Sequence, residues 1–346
     1  MIITVLILLL MVFVGASFAK PGEFFKDYLS KETTTSINGI FVILVFLRHF
    51  SQYVTFSSEP VDRLFVVFNS FIGQLIVTTF MFYSGYGIMC SIAAKGSAYV
   101  SSIPKKRIFS VWLHFFIAVL LFCVTNLFIG KKYPLETVLL SYIGWSSVGN
   151  SNWYIFAILF LYLFVFIAFK LCRNKPLPGI IITSVLIIAF VYVMMLFKRP
   201  AYTYNVLACY PMGMLYALLK DKIESILMKN DTLYSLALAL AFGAAVLTCP
   251  YRNDGFIPHS IWSMVFVALV VLLSMKLKLN NGLLQFLGSH VFGIYILQRI
   301  PMIIFKELGL HTDKTAFLIL TFLVTVVMTL IFDKLMFRLD KKLKIA

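Results

Sequence analysis

The chain has 346 residues, of which 61% are hydrophobic and 13% charged, and it carries a formal net charge of +16. Soluble domains carry about 25% charged residues, so a mean hydropathy of +0.95 excludes a soluble enzyme and identifies an integral membrane protein. Nucleic-acid binding is excluded as well, because the basic residues fall in short loops between apolar segments, where membrane topology accounts for them.

Segments apolar over at least about 17 residues, the length needed to span, occur at 2–19, 37–54, 71–93, 108–129, 152–170, 178–197, 203–219, 231–249, 260–275, 287–306 and 315–336. The expected fold is therefore all-α, a polytopic transmembrane bundle of about 11 helices. A shorter apolar piece from Leu135 to Trp145 reads as re-entrant or interfacial. Assigning Lys and Arg to alternate sides puts 20 on one side and 8 on the other, with Arg48 and Arg299 inside helices. The side richer in cations is cytoplasmic, so the N-terminus is expected outside and the C-terminus inside. Segment 1 lacks the basic n-region of a signal peptide and reads as a retained helix. Residues 1–36 then form an extra N-terminal transmembrane helix with a cytoplasmic link, and 37–346 the main transmembrane domain. Thr33 to Ser36 are the capping candidates for the second helix.

That helix holds Asn38, Gly39, an apolar run and then Arg48-His49. A charge at membrane depth costs about 2.5–3.5 kcal/mol on the lenient insertion scale, so such groups persist where they face a polar interior. Asn38 and His49 are eleven residues apart, close to three turns, and share a stripe about 16 Å long, while Arg48 is turned roughly 100° from His49. An Asn or Arg, Gly, an apolar run and His resembles the first core helix of the acyltransferase-3 family, membrane enzymes that move acyl groups onto sugars, peptidoglycan and lipids. Its usual first polar residue is Arg, where this chain has Asn38. The ten later helices match that family's usual core, leaving segment 1 as an addition.

Four further motifs carry the resemblance. Phe80-Met81-Phe82-Tyr83-Ser84-Gly85-Tyr86-Gly87 is similar to a Phe-x-x-Ser-Gly-Phe pattern; Ser84 with Tyr83 or Tyr86 would offer hydroxyls to an acyl donor, and the small residues also suit close helix packing. Lys105-Lys106-Arg107 stands where the family places a basic motif thought to meet the phosphates of acyl-coenzyme A. Arginine grips phosphate bidentately, which favours Arg107. Asn152-Trp153-Tyr154 resembles an aromatic signature at a helix entrance, and aromatic faces with amides suit an acceptor sugar. On the late helix, Tyr295 and Arg299 lie four apart and share a face, with Gln298-Arg299 where a His is frequent in the family. His114 has no partner recognisable by spacing.

The resemblance implies an O-acyltransferase, an O-acetyltransferase by preference, acting on a cell-surface or capsular polysaccharide or its lipid-linked precursor in a bacterial cytoplasmic membrane. His49 would be general base, with Arg48 or Arg299 stabilising the oxyanion and Asn38 on the same stripe. Acyl-coenzyme A, acetyl-coenzyme A above all, is the expected co-substrate, with no permanently bound cofactor; the five scattered cysteines suggest neither a zinc cage nor a disulfide framework. The expected partners are a glycan or lipid-linked saccharide and membrane lipids. A transporter or flippase for lipid-linked sugars is the alternative, though it predicts internal repeats that the sequence does not show. Donor and acceptor would approach from opposite faces of the membrane, and no Ser or Cys stands out as a relay nucleophile.

Overall fold

The computed structural model describes residues 2–345. It is an all-α bundle with one two-stranded ladder. After a short helix α1 (Ile2–Phe13), the helices are α2 (Lys31–Phe50), α3 (Pro60–Ile72), α4 (Leu75–Ile103), α5 (Ser110–Phe128), α6 (Leu135–Ser141), α7 (Trp153–Leu171), α8 (Pro176–Leu196), α9 (Cys209–Leu227), α10 (Asp231–Thr248), α11 (Phe256–Lys276), α12 (Gly282–Ser289), α13 (Val291–Leu297), α14 (Arg299–Glu307) and α15 (Lys314–Lys342). Strand β1 (Ala16–Phe18) pairs antiparallel with β2 (Leu277–Leu279), Ser17 opposite Lys278. That ladder marks one end of the bundle; His49, at the far end of α2, marks the other.

Among the described residues seven helices are long and apolar enough to cross a membrane, or eight if the bent pair Gly282–Ser289 and Val291–Glu307 makes one span. The protein is thus a multi-pass membrane protein. The stretch Pro60–Phe128, one of the seven, is a single run of helix but contains α4 descending and α5 returning. The reversal uses Gly96, whose φ of +54° lies inside the helix and suits only glycine readily, and then a wide π-helical turn, Pro104–Phe109. Helix α9 bears Lys220, Asp221, Lys222 and Glu224 in its second half, which masks an otherwise apolar helix. The long helices α2, α4, α5, α7, α8, α9, α10, α11 and α15, with the α12–α14 unit, build the bundle; the seven or eight candidate spans among the described residues are fewer than the about 11 helices expected from the sequence.

Several boundaries moved. The expected first span, 2–19, is helical for 12 residues only, about 18 Å. At Gly15 φ is +76° and a Cβ would lie 2.7 Å from the Asn280 carbonyl oxygen, so the helix stops and residues 16–18 enter the ladder. Helix α1 lies against α3 and is tied at its other end by Asn281 Nδ2, which donates to Met11 O at 2.8 Å. Helix α2 begins at Lys31 rather than near 37: its cap is Ser30, which accepts from Thr33 N at 3.2 Å. The expected cap residues instead lie within the helix, where Thr34 and Thr35 donate to the Ser30 and Lys31 carbonyls. Helix α9 starts at Cys209, not 203, and takes Pro211 in its first turn, where a missing N–H costs little. The segment 287–306 is broken, with a 62° bend between α12 and the helices that follow.

Glycines set two crossings. A Cβ on Gly39 would lie 2.1 Å from Leu284 O, and one on Gly288 would lie 1.8 Å from Thr35 O, so α2 and α12 meet backbone to backbone. Helices α4 and α9 do the same through Gly85 and Gly213, whose Cβ atoms would fall 2.0 Å from Tyr210 O and 2.1 Å from Phe82 O. Small residues at such crossings let helices associate without a hydrophobic driving force between them. The two clamps hold α2 and α4, the helices that line the functional cavity.

Candidate active site

Three cavities lie end to end along α2. The upper one, about 410 Å³, is lined by Arg48, His49, Gln52, Gln74, residues 150–153, Tyr202, Tyr295 and Arg299 among others. The middle one, about 530 Å³, takes in Asn38, Ser84, Arg107, Tyr154 and Tyr162, and shares Val77 and Tyr295 with the upper. The lower one, about 420 Å³, contains Tyr86, Tyr99 and Ser91 and shares Lys31, Thr34, Tyr83, Ser84, Arg107 and Tyr162 with the middle. The cavities thus trace a route from the ladder end, the cation-rich end, to His49.

His49 projects into the upper cavity from the last turn of α2. Its Nδ1 is buried and bonds nothing in the protein. Beside it stands Tyr295, ring centroids 6.1 Å apart, and Tyr154 stacks edgewise on Tyr295 at 5.7 Å. Tyr295 is 7% exposed and its hydroxyl is unpartnered. This is the ring both cavities share, a partition between them.

Arg299 reaches across from α14. One terminal nitrogen donates to Gln52 Oε1 and the other to Gly149 O at 3.4 Å; its Nε has no partner. Arg48 lines the same cavity despite its angular offset from His49. Two guanidiniums and one imidazole therefore share one space, and among the described residues no carboxylate lines any of the three cavities.

The aromatic entrance motif divides in role. Trp153 faces the cavity and Tyr202, ring centroids 6.2 Å apart. The Asn152 amide, expected to meet substrate, donates instead to Gly144 O at 2.7 Å and Ser146 O at 2.9 Å, fixing the loop that forms the cavity rim. Asn150 Oδ1 accepts from Val148 N, and Asn126 Nδ2 donates to Val148 O, so the rim is rigidly built.

Lower down, Ser84 Oγ lies 3.1 Å from Tyr162 Oη and faces the middle cavity, while its neighbour Gly85 serves the α4–α9 crossing. Asn38 lines the middle cavity with its carbonyl oxygen buried and unpartnered. Arg107 lines the middle and lower cavities and donates to Tyr99 Oη at 3.1 Å. Lys105 and Lys106 line none of the three; they are exposed on the same turn, because consecutive residues of a helical turn fan out around its axis. Tyr86 lines the lower cavity.

Sequence reasoning passed over Gln52, Gln74 and Tyr162. Single polar residues of loops and aromatic runs carry no spacing signal. His114 also gained a partner: its Nε2 lies 2.9 Å from Asp340 Oδ1, joining α5 to α15.

A multi-helix membrane bundle with a polar route from one end to a histidine near the other defines a membrane-embedded transferase or transporter. A family model described as an acyltransferase domain, acyltransferase-3, matches residues 36–333. The chain belongs to this acyltransferase family, and the protein is a membrane acyltransferase. Comparison with curated proteins and with solved structures gave no match.

Proposed function

We propose that this enzyme transfers an acyl group, acetyl by preference, from cytoplasmic acyl-coenzyme A to a hydroxyl of a cell-surface saccharide or its lipid-linked precursor. The observation that carries this reading is the composition of the upper cavity: among the described residues His49 is the one imidazole that lines it, and two guanidiniums, Arg48 and Arg299, line it beside that ring. Acyl transfer to an alcohol needs that combination. General-base catalysis contributes about 10²–10⁴ in rate, and oriented cations stabilise the oxyanion of the tetrahedral intermediate.

The acceptor hydroxyl enters the upper cavity and gives its proton to His49 as its oxygen attacks the thioester carbonyl. Arg299 or Arg48 holds the negative oxygen. Collapse of the intermediate breaks the carbon–sulfur bond, and the proton passes from His49 to the departing thiolate. The ester and the free thiol then leave by opposite ends. The donor's acyl chain and pantetheine arm fit the middle and lower cavities, past Ser84, Tyr86 and Asn38. Its phosphates meet Arg107, with Lys105 and Lys106 at the surface beside the mouth. Placing that mouth in the cytoplasm follows from the 20-to-8 bias of Lys and Arg, and puts the C-terminus inside.

The test is ester content of purified surface glycan from a bacterial host lacking other acyltransferases, with wild type and His49→Ala expressed to equal levels. Wild type adds ester and consumes acyl-coenzyme A; His49→Ala does neither. Equal ester with both proteins removes the catalytic assignment.

A further inference from the structure

A second polar cavity, of about 330 Å³, opens beside the His49 cavity and shares Gly73, Gln74 and Tyr202 with it. The mechanism above does not use it. Two buried acceptor atoms line it without partners: Asn205 Oδ1, on a residue 8% exposed, and His259 Nε2, on a residue 9% exposed. His259 Nδ1 lies 2.8 Å from the Arg252 carbonyl oxygen, so Nδ1 carries the proton it donates there and the neutral ring leaves Nε2 as an acceptor. Two orphaned acceptors beside the faces of Tyr202 and Trp262 call for hydroxyl donors on a ring-shaped molecule, since a buried polar atom without a partner is costly.

Beyond this cavity the chemistry changes. It shares Phe71, Arg252 and Trp262 with a groove of about 540 Å³ that is otherwise lined by apolar side chains of α4, α10 and α11 together with Cys249 and Pro250. That groove runs from Arg252 along α10 to Phe242, seven residues before Cys249 and so about 10 Å deeper into the bilayer. Arg252 stands at the junction. Its guanidinium lies 5.8 Å from the Phe71 ring centre and 5.7 Å from that of Trp262, and donates to Cys249 O at 2.7 Å. No carboxylate is within 4 Å of it; Asp254, two residues on, is exposed.

We infer that the acceptor is a saccharide joined to a long hydrocarbon chain through a phosphate. One sugar would occupy the His49 cavity and its neighbour the Asn205–His259 cavity, with the phosphate on Arg252 and the first carbons of the chain in the groove. The order sugar, sugar, phosphate, hydrocarbon matches the order of the surfaces. A free polymer would leave both Arg252 and the groove without function. This inference rests on the acyltransferase reading for the role of the first cavity, but its test does not.

The probe is a disaccharide linked by phosphodiester to a fifteen-carbon alkyl chain bearing a diazirine near the phosphate, added to the purified, detergent-solubilised full chain. Irradiation is expected to label peptides of α10 and α11. Arg252→Gln should lower labelling at least tenfold, Arg252→Lys should restore part of it, and Val246→Trp, which fills the groove, should lower it with Arg252 intact. Competition by the phosphate-free alkyl disaccharide should be at least tenfold weaker than by unlabelled probe. Labelling indifferent to Arg252, or equal competition by the phosphate-free compound or by phosphatidylglycerol, overturns the inference. Arg252-dependent labelling without acyl transfer would instead overturn the proposed reaction and leave the lipid-phosphate site standing. His49-dependent acylation of a soluble oligosaccharide, with labelling indifferent to Arg252, would do the reverse.

Discussion

Gly288→Ala and Gly39→Ala test whether the α2–α12 crossing sets the catalytic geometry. The Cβ atoms would lie 1.8 Å from Thr35 O and 2.1 Å from Leu284 O, against 3.4 Å for the near edge of ordinary contact. The backbones must therefore part by about 1.6 Å or 1.3 Å, and the opposing atoms are backbone, which cannot rotate away. Overpacking of this kind costs roughly 1–3 kcal/mol. His49 lies ten residues beyond Gly39 on the same helix, about 15 Å along its axis, so a shift of α2 as a rigid rod carries the imidazole with it. Misplacement by about 1 Å costs on the order of 10²-fold in rate. Each variant is expected to melt several degrees lower in detergent and to lose ten- to hundredfold in turnover at saturating donor. Gly243→Ala is the control: no atom lies within 4 Å of its Cβ position, and alanine in a helix interior is favoured by about 1 kcal/mol. Wild-type melting and turnover in Gly288→Ala would refute the close crossing.

Further outcomes follow from the same geometry. His49→Gln keeps a polar side chain of similar length but removes the base, and should lower the acyl-transfer rate by about 10²–10⁴ with donor affinity, read by isothermal titration, unchanged. Arg107→Ala should raise the KM for acyl-coenzyme A about tenfold and change the response to 3′-dephosphorylated donor, whereas Lys105→Ala should move it less than threefold; equal effects would remove Arg107 from its special place. Reporter fusions after residues 130 and 346 should report outside and inside respectively, and an exported C-terminus would invert the assignment of the cavity mouths.

Residue pattern revealed the bundle because hydrocarbon imposes one solution on the backbone: every amide must be bonded within a helix. The all-α polytopic bundle was therefore legible from hydropathy, including the short 260–275 segment, which extends to Phe256–Lys276. What hydropathy could not show was where a helix yields to a tertiary contact. The N-terminal segment keeps its apolar composition through Phe18, yet the chain leaves the helix at Gly15 because a strand from behind α11 offers it a partner. His49, Arg48 and Arg299 stood out in the sequence because a charge inside an apolar helix is expensive enough to demand a reason, and the structure brings all three to one cavity. Asn152 also lines that cavity, and the sequence did not show that its amide donors are taken by carbonyls eight and six residues earlier, a loop geometry no spacing rule encodes. Asn205 and His259 lie 54 residues apart in sequence and come to line one cavity only through the packing of α11 beside the loop before α9.

The hardest question left by the sequence was how a donor entering at one face meets an acceptor entering at the other. Tyr295 gives it a physical form. Its ring stands between His49 and Tyr154 and lines both the upper and the middle cavity, with a hydroxyl that bonds nothing. If the thioester must pass this ring to reach His49, the ring serves as a partition that keeps water from the upper cavity out of the donor route until the acyl group fills the gap. Removing it should then open the route without touching the base. Tyr295→Ala is expected to hydrolyse acyl-coenzyme A in the absence of acceptor at least tenfold faster than wild type, while the fraction of acyl groups reaching the acceptor falls. Tyr295→Phe, which keeps the ring, should retain wild-type partitioning. A Tyr295→Ala protein that binds donor normally and shows no added hydrolysis would mean that the two cavities do not communicate past this side chain, and that the acyl group reaches His49 by another path.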